Sequence, residues 1–154
     1  MKITENTFIG EYSYSLDSKG RINMPSKFRQ CLSSENDGTF IISRGLDSCI
    51  YAYPLIIWKE IENNLRNLSS LSKTNRIFIR NIVRYASPIK YDKQGRILLT
   101  TSLINYSKLE KEVLIIGVVN KIEIWDPLQL KLIEEKNDDI DQQSYDNLAE
   151  KIIL

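Results

Sequence analysis

One turn motif, present twice, constrains this chain more than any other feature of its sequence. Asp17–Arg21 and Asp92–Arg96 share the pattern D-x-x-G-R, and an isoleucine follows both copies. Two further blocks, Ile50–Tyr53 and Ile122–Trp125, also resemble each other and follow the turns in the same order. Blocks that recur in a fixed order predict that the chain is a duplicated structural unit.

Each half has the same predicted series of short strands and helices. Strands are predicted at Gly10–Leu16, Arg21–Met24, Thr39–Ser43, Cys49–Tyr53, Ala86–Tyr91, Ile97–Thr100, Val113–Val118 and Lys121–Trp125. Helices are predicted at Ser26–Leu32, from Pro54, at Lys73–Arg84, from Pro127 to about Glu135, and at Tyr145–Leu154. Runs of strands followed by helices indicate an α+β fold rather than a parallel α/β sheet.

This series divides the chain into four parts. Residues 5–54 are the first repeat, residues 55–85 are linking helices, residues 86–127 are the second repeat, and residues 128–154 are a helical, acidic C-terminal tail. A chain of 154 residues can bury a core large enough to fold without a metal ion or a disulfide.

The absence of histidine excludes several kinds of catalytic and metal site. No Ser–His or Cys–His nucleophile pair and no histidine-ligated metal centre can form. Cys31 and Cys49 form no C-x-x-C pair, so a four-thiolate zinc site within one chain is excluded, and both are expected to be small buried hydrophobes. We therefore expect no enzyme activity, no cofactor, no metal and no small-molecule substrate.

Neither a membrane span nor a secretion signal is predicted. No apolar run approaches the roughly 20 residues that a spanning helix needs. The N-terminal segment MKITENTFIG lacks the basic and apolar regions of a signal peptide. We expect a cytoplasmic protein without membrane partners.

The formal net charge of +1 conceals two regions of opposite charge. From Ser69 to Arg96 the only acid is Asp92, and the bases are Lys73, Arg76, Arg80, Arg84, Lys90, Lys93 and Arg96. From Glu134 to Glu150 the only base is Lys136, and the acids are Glu134, Glu135, Asp138, Asp139, Asp141, Asp146 and Glu150. Either the two regions pair, within or between chains, or the basic region faces a polyanion.

The repeated turn is expected to be a hairpin with a cationic tip. Gly20 and Gly95 supply the positive φ that such a turn needs, and each aspartate can accept backbone N–H groups or hold the arginine. In one interpretation, both copies of the motif are purely structural turns that an Asp–Arg pair stabilises. Lys19 and Lys93 add positive charge that such a pair does not require, which favours a surface that faces phosphates.

Four segments together resemble the MraZ family of bacterial transcriptional regulators: FIGEYSYSLDSKGRINMPSKFR, RGLDSCIYAYPL, YDKQGRILL and LEKEVLIIGVVNKIEIWDP. The resemblance runs from about Phe8 to Pro127. It implies a duplicated AbrB-like (SpoVT-type) DNA-binding fold, in which two pseudo-symmetric swapped-hairpin units form an intramolecular pseudo-dimer with flanking helices.

The resemblance also implies a function and an assembly. It implies a cytoplasmic, nucleoid-associated repressor of the division and cell-wall gene cluster that includes its own gene. It further implies a ring-shaped homo-oligomer. Because a ring repeats its turns in one sense, we expect a double-stranded DNA operator of direct repeats.

Carried over residue by residue, the resemblance assigns cationic DNA contacts and turn-forming residues. The expected DNA contacts are Lys19, Arg21, Lys27, Arg29, Lys93 and Arg96. The expected turn residues are Asp17, Gly20, Asp92 and Gly95.

The second half departs from the family pattern after its turn. Thr100 and Ile104 stand where the family has Pro and Arg, and Ser102 corresponds to Lys27 of the first half. We therefore expect the second turn to have lost cationic neighbours and to bind DNA more weakly than the first.

Arg76, Arg80 and Arg84 form one stripe of a predicted helix. This stripe could be a second phosphate track. We favour a solvated or ion-paired face, with Glu60, Glu62 or the acidic tail of a neighbour as partners.

Apolar residues outside the turns are expected to serve packing. Trp58 and Trp125 are expected to anchor the core or a subunit interface. Leu148, Ile152 and Ile153 are expected to dock on their own subunit or on the next one.

A different class of protein remains as an alternative to a regulator with its own DNA target. The chain could be an AbrB-like antitoxin or an oligomeric scaffold whose turns serve assembly. Antitoxins of this type join one copy of the fold to a disordered tail, whereas this chain has two copies and a helix-like C-terminus.

Overall fold

The computed structural model describes residues 5–136 and 140–152. The strands in these ranges are β1 (Phe8–Ser15), β2 (Arg21–Asn23), β3 (Thr39–Arg44), β4 (Ile50–Pro54), β5 (Ser87–Lys90), β6 (Arg96–Leu98), β7 (Glu112–Val119) and β8 (Ile122–Trp125). The helices are α1 (Ser26–Cys31), α2 (Leu55–Arg66), α3 (Lys73–Val83), α4 (Thr101–Ser107), α5 (Pro127–Glu134) and α6 (Gln142–Ile152). These elements confirm the α+β class.

The strands form one large antiparallel sheet and one short ribbon. The six-stranded sheet has the order β1-β7-β8-β4-β3-β5, and β2 pairs with β6 alone. Each half contributes strands to the pairs of the other half: β1 pairs with β7, β5 with β3, and β2 with β6. The two halves are therefore joined by backbone hydrogen bonds and not only by side-chain packing.

The hydrophobic core lies between the large sheet, the ribbon and the short helices. Phe8 of β1, Phe28 of α1 and Phe40 of β3 meet there, with ring centroids 5.4 and 6.3 Å apart for the Phe8–Phe28 and Phe8–Phe40 pairs. Ile22 and Ile97, the middle residues of the ribbon strands, are buried in the same cluster. Each such side chain contributes about 1.5–3 kcal/mol by leaving water, so the ribbon is anchored to the core.

The packing predictions for single residues are mostly confirmed. Trp58 and Trp125 are both buried, and so is Cys49, whereas Cys31 is half-buried at the edge of the core. Burial raises the pKa of the Cys49 thiol well above its ordinary range, which keeps it protonated and unreactive.

The prediction of a strand at Ile97–Thr100 is wrong at its C-terminal end. The strand β6 ends at Leu98, and Thr100 is the N-cap of α4, where its hydroxyl accepts a hydrogen bond from the Leu103 amide at 3.3 Å. A threonine is common in strands, but its hydroxyl also satisfies the open amides at a helix start. The helix α4 that follows was not predicted.

The C-terminal predictions need two corrections. The last helix begins at Gln142, three residues before the predicted Tyr145, and Ile153 and Leu154 lie outside the described residues. Leu148 and Ile152 are 58% and 60% exposed among the described residues, which does not support docking on their own subunit, and docking on the next subunit stays a prediction. No helix among the described residues is long and apolar enough to cross a membrane.

The close approach of β1 and β7 depends on Gly117. A Cβ added at this position would lie 2.5 Å from the Phe8 carbonyl carbon and 2.6 Å from the Ile9 nitrogen. We expect Gly117→Ala to lower the free energy of unfolding by about 1–3 kcal/mol, because two backbones must separate. Chemical denaturation should show this loss, with the exposed β1 change Ser13→Ala as the control. Equal stability of both variants would contradict the account.

Candidate nucleic-acid interface

The first D-x-x-G-R turn is closed by its aspartate. Asp17 Oδ1 accepts hydrogen bonds from the backbone amides of Lys19 and Arg21, both at 2.9 Å. Asp17 Oδ2 accepts from Arg21 Nε at 2.7 Å. Gly20 has φ +80°, the left-handed conformation that this turn requires. The side chain of Lys19 is exposed at the tip.

The second turn repeats this geometry. Asp92 Oδ1 accepts from the amides of Gln94 and Arg96 at 2.9 Å, and Oδ2 accepts from Arg96 Nε at 3.0 Å. Gly95 has φ +77°. In both turns the described contacts of the arginine use only Nε, so the two terminal nitrogens remain available to a ligand. Because each aspartate binds only Nε of its arginine, the two terminal nitrogens of the guanidinium are left without a described partner.

The same hydrogen bonds perturb both carboxylates. The pKa of Asp17 lies below its ordinary value, first because the Arg21 amide donates to it and then through the Arg21 side chain and the Lys19 amide. The pKa of Asp92 is lowered in the same way, first by the Arg96 amide. Both aspartates are therefore charged at neutral pH and keep their arginines in place.

The short ribbon joins the two turns into one surface. In its antiparallel register Arg21 faces Leu98, Ile22 faces Ile97, and Asn23 faces Arg96. Because side chains alternate along a strand, the buried isoleucines leave the other two pairs on the outer face. Arg21 and Arg96 are offset by two residues along the ribbon, roughly 7 Å at the rise of a β-strand.

Two residues of this face were missed in the sequence analysis. Asn23 is exposed, and Leu98 is 55% exposed although it is a large apolar residue. The D-x-x-G-R motif drew attention to the turns, whereas the alternation after each arginine was the signal for Asn23 and Leu98. Asn23 and Leu98 occupy equivalent positions, each two residues after its turn arginine. The two strands of the ribbon therefore have matching backbones, but one carries a polar and the other an apolar side chain at this position.

Backbone hydrogen bonds tie each turn to the opposite half. The Gly20 carbonyl accepts from the Leu99 amide at 2.8 Å, and the Gly95 carbonyl accepts from the Met24 amide at 2.8 Å. The structure thus brings Lys19, Arg21, Lys93 and Arg96 to the two ends of one ribbon.

The expectation that the second turn has lost its cationic neighbours is wrong, because each turn packs against a helix of the other half. Arg29 lies against the second turn: a Cβ at Gly95 would be 2.6 Å from its Cζ, and its Nε donates to the Met24 carbonyl at 3.1 Å. Ile104 lies against the first turn, with its Cδ1 3.3 Å from a Cβ built at Gly20. The isoleucine therefore removes a cation from the first turn, because the helix after each ribbon strand packs on the turn of the other half.

Lys27 is exposed on α1, the helix that also carries Arg29. Arg29 is half-buried, and its guanidinium lies 5.7 Å from the Tyr91 ring centroid. Arg29 thus supports the second turn, while Lys27 is available to solvent. Within residues 5–136 and 140–152, no cluster of three or more His, Cys, Asp or Glu side chains could hold a metal ion.

Fold and site together define a class of protein: a duplicated α+β chain whose two Asp–Arg turns flank a shared β-ribbon. The family model described as "MraZ protein, putative antitoxin-like" matches residues 7–81 and 82–150. The chain belongs to the MraZ family.

Curated relatives agree with this assignment over nearly their whole length. The "Transcriptional regulator MraZ" of Pediococcus pentosaceus is 40% identical over 146 residues, which cover 95% of this chain and 96% of the relative. The protein of the same name from Natranaerobius thermophilus is 43% identical over 149 residues, covering 95% and 96%. That of Clostridium acetobutylicum is 41% identical over 145 residues, covering 94% and 96%. These relatives are named as transcriptional regulators and not as enzymes.

The lowered pKa values predict a titration that is specific to each turn. We expect both aspartates to titrate below the ordinary value of 3.8, so their stabilisation is present above that pH and is lost as the pH falls through the lower folded-state pKa. Arg21→Ala should raise the Asp17 midpoint only partway, since the backbone amides remain. Carboxyl-carbon NMR would measure this, with Asp92 as the internal control. An unchanged Asp17 midpoint would contradict the pairing.

Proposed function

We propose that this chain is a sequence-specific DNA-binding transcriptional regulator that acts as a repressor. Its proposed targets are the division and cell-wall genes, including its own gene, in the cytoplasm and on the nucleoid. The names of the relatives support a regulator. The observation that carries the proposal is the ribbon face, where two arginines are held by Nε and their terminal nitrogens make no hydrogen bond among the described residues.

The proposed architecture is a fused pseudo-dimer of AbrB-like swapped-hairpin units. The exchange of strands between the halves supports it, since β1 pairs with β7 and β5 with β3. The middle of the large sheet, where β4 pairs with β8, is where the two units would meet about a pseudo-two-fold axis.

The ribbon is suited to reading bases. An antiparallel two-stranded ribbon fits the major groove of B-form DNA. Arg21 and Arg96 would donate to guanine, Asn23 would pair with adenine, and Leu98 would contact a thymine methyl group, which are the partners these side chains favour. Because Asn23 and Leu98 occupy equivalent positions, the two ends of the ribbon would prefer different bases, and one chain would read an asymmetric box.

The remaining cations are proposed to contact phosphates. Lys19, Lys93 and Lys27 are exposed around the ribbon, where they would set register and supply affinity that depends on salt. Arg29 would strengthen the field at the second turn from its half-buried place.

A ring of identical chains would present these ribbons in one sense. Head-to-tail interfaces generate rings, and their repeated surfaces match direct repeats rather than palindromes. One ribbon covers few base pairs, so tight binding would come from several linked contacts through their effective concentration.

Substitution of the two turn arginines tests whether the ribbon face contacts DNA bases. We expect Arg21→Ala and Arg96→Ala each to weaken specific binding by about 5- to 150-fold, the equivalent of about 1–3 kcal/mol for a bidentate base contact. Arg96→Ala should cost at least as much as Arg21→Ala, because Arg29 lies beside the second turn. A gel shift on the DNA upstream of the chain's own gene would measure both.

The matched control is Lys59→Ala, which removes an exposed cation from α2, away from the ribbon. Oligomer mass should remain unchanged in all three variants, and the two arginine variants should lose only the small stability that a partly exposed Asp–Arg pair supplies. If neither arginine variant lost affinity, the turns would be structural and the scaffold alternative would gain support.

Operator spacing tests the linked contacts. We expect boxes about 10 base pairs apart to bind together, because one helical turn places them on one face of the DNA. Inserting five base pairs between two boxes should reduce the affinity to that of a single box. A ten-base-pair insertion serves as the control for length. Equal affinity for the original and the five-base-pair insertion would contradict the ring model.

A further inference from the structure

One arginine outside the turns lies against two tyrosine rings. Arg44 is the last residue of β3, and its guanidinium carbon is 3.5 Å from the centroid of the Tyr85 ring and 4.5 Å from that of the Tyr106 ring. A guanidinium within about 6 Å of an aromatic centroid is attracted by the ring, more strongly where water is excluded. This stack of Arg44, Tyr85 and Tyr106 therefore joins β3, the segment between α3 and β5, and α4.

No acid neutralises Arg44 in the part of the chain that the structure describes. Its side chain is half-buried and forms no ion pair there, and its buried Nε has no hydrogen-bond partner among the same residues. A buried donor without an acceptor costs stability, and an apolar side chain of similar length would avoid that cost. What the arginine adds is a planar cation that holds two rings at fixed distances.

Tyr106 fixes α4 to the β3–β4 hairpin. Its hydroxyl donates to the Gly45 carbonyl oxygen at 2.8 Å and to the Asp47 carbonyl oxygen at 3.2 Å. Burial raises the pKa of this hydroxyl, so it keeps its donor proton at neutral pH. The ring and the hydroxyl of Tyr106 together hold the C-terminal part of a helix of only seven residues.

The N-terminal part of α4 supports the first turn. Leu99 directly precedes the N-cap of this helix, and its amide donates to the Gly20 carbonyl at 2.8 Å. Ile104 of the same helix lies against Gly20. Tyr106 follows Ile104 by two residues, which is roughly 3 Å of helix rise. A displacement of Tyr106 would therefore move both contacts of the first turn.

The other half of the chain has no equivalent of this stack. Counted from the repeated turns and the strand registers, its corresponding positions carry small residues: Gly117 for Arg44, Cys31 for Tyr106 and Gly10 for Tyr85. The second turn is instead supported by Arg29, which lies directly against Gly95. The two turns thus have different supports, so the support of one can be removed without changing that of the other.

We propose that Arg44 is a positioning residue for the first turn and acts through Tyr106 and α4. The stack holds α4 where Leu99 and Ile104 keep the first turn, and with it Arg21, at its end of the ribbon. Arg44 itself needs no contact with DNA for this role. The inference deepens the proposed function, on which it rests only for its effect on base recognition.

The exchange of two equivalent amides tests the positioning in the free protein. The Leu99 amide binds the first turn, and the Met24 amide makes the same bond to the second. In Arg44→Met we expect the Leu99 amide to exchange about fivefold faster or more, because methionine keeps the length but loses both cation–π contacts. The Met24 amide should keep its wild-type rate. Hydrogen exchange followed by NMR measures both amides in one sample.

Arg84→Met is the matched control. Arg84 is exposed, and its guanidinium carbon lies 5.2 Å from the same Tyr85 ring. This variant removes the same charge but leaves the contact between Arg44 and Tyr106 in place, so both amides should keep their wild-type rates. Tyr106→Leu removes the stack from its other side and should reproduce Arg44→Met. The double variant should exchange no faster than either single one, because both act through one contact.

The consequence for DNA is tested one base pair at a time. We expect Arg44→Met to reduce the preference for the guanine that Arg21 would contact by about threefold or more, because a displaced guanidinium loses its bidentate geometry. The preference at the Arg96 end of the ribbon should not change. Gel shifts on operators with one substituted base pair each measure both preferences, with Arg21→Ala as the reference for complete loss.

Four results would overturn the proposal. Equal acceleration of the Leu99 and Met24 amides would mean that Arg44 stabilises the whole fold. Unchanged Leu99 exchange in both Arg44→Met and Tyr106→Leu would mean that the first turn is placed without the stack. The same exchange pattern in Arg84→Met would assign the effect to charge alone.

The fourth result is a base preference that Arg44→Met leaves intact where Arg21→Ala removes it, since the stack would then place nothing that DNA contacts. Failure of the proposed function is distinguishable from these results. Faster exchange of the Leu99 amide, in a protein whose Arg21→Ala variant binds DNA as the wild type does, would support the positioning and count against the proposed base contact.

Discussion

The hydrogen bonds that each turn glycine accepts from the other half support the rest of the structure. The Gly20 carbonyl is bound by the Leu99 amide and the Gly95 carbonyl by the Met24 amide, each at 2.8 Å. These bonds fix each turn at one end of a ribbon whose middle residues are buried in the core. The position of the arginines on the surface is therefore set by long-range pairing and core packing, which gives a rigid site at low entropic cost on binding.

The local structure of the turns could be predicted from the sequence because it depends on a few neighbouring residues. An aspartate, a glycine and an arginine at fixed spacing specify the turn wherever it occurs. The partners of the strands could not be predicted in this way, because pairing between halves is a long-range property. That exchange places Arg29 beside Gly95 and Ile104 beside Gly20, so the expectation that the second turn has lost its cations was wrong. The prediction that Thr100 ends a strand was wrong for a different reason, because threonine is favourable both in strands and at helix N-caps.

The proposed function depends on the rigidity of the ribbon face. The ribbon face is anchored through Ile22 and Ile97, so its side chains lose little freedom when they meet a ligand. In the proposed function, recognition by one ribbon is weak, and assembly would strengthen it by linking several ribbons.

The central claim is that both turns and the ribbon between them form one DNA-facing surface. Hydrogen exchange of the full-length protein, with and without the DNA upstream of its own gene, tests this most directly. The account predicts slower exchange in residues 17–24 and 92–99 together, with no change along α3. Protection of one turn alone, or protection confined to α3, would contradict it.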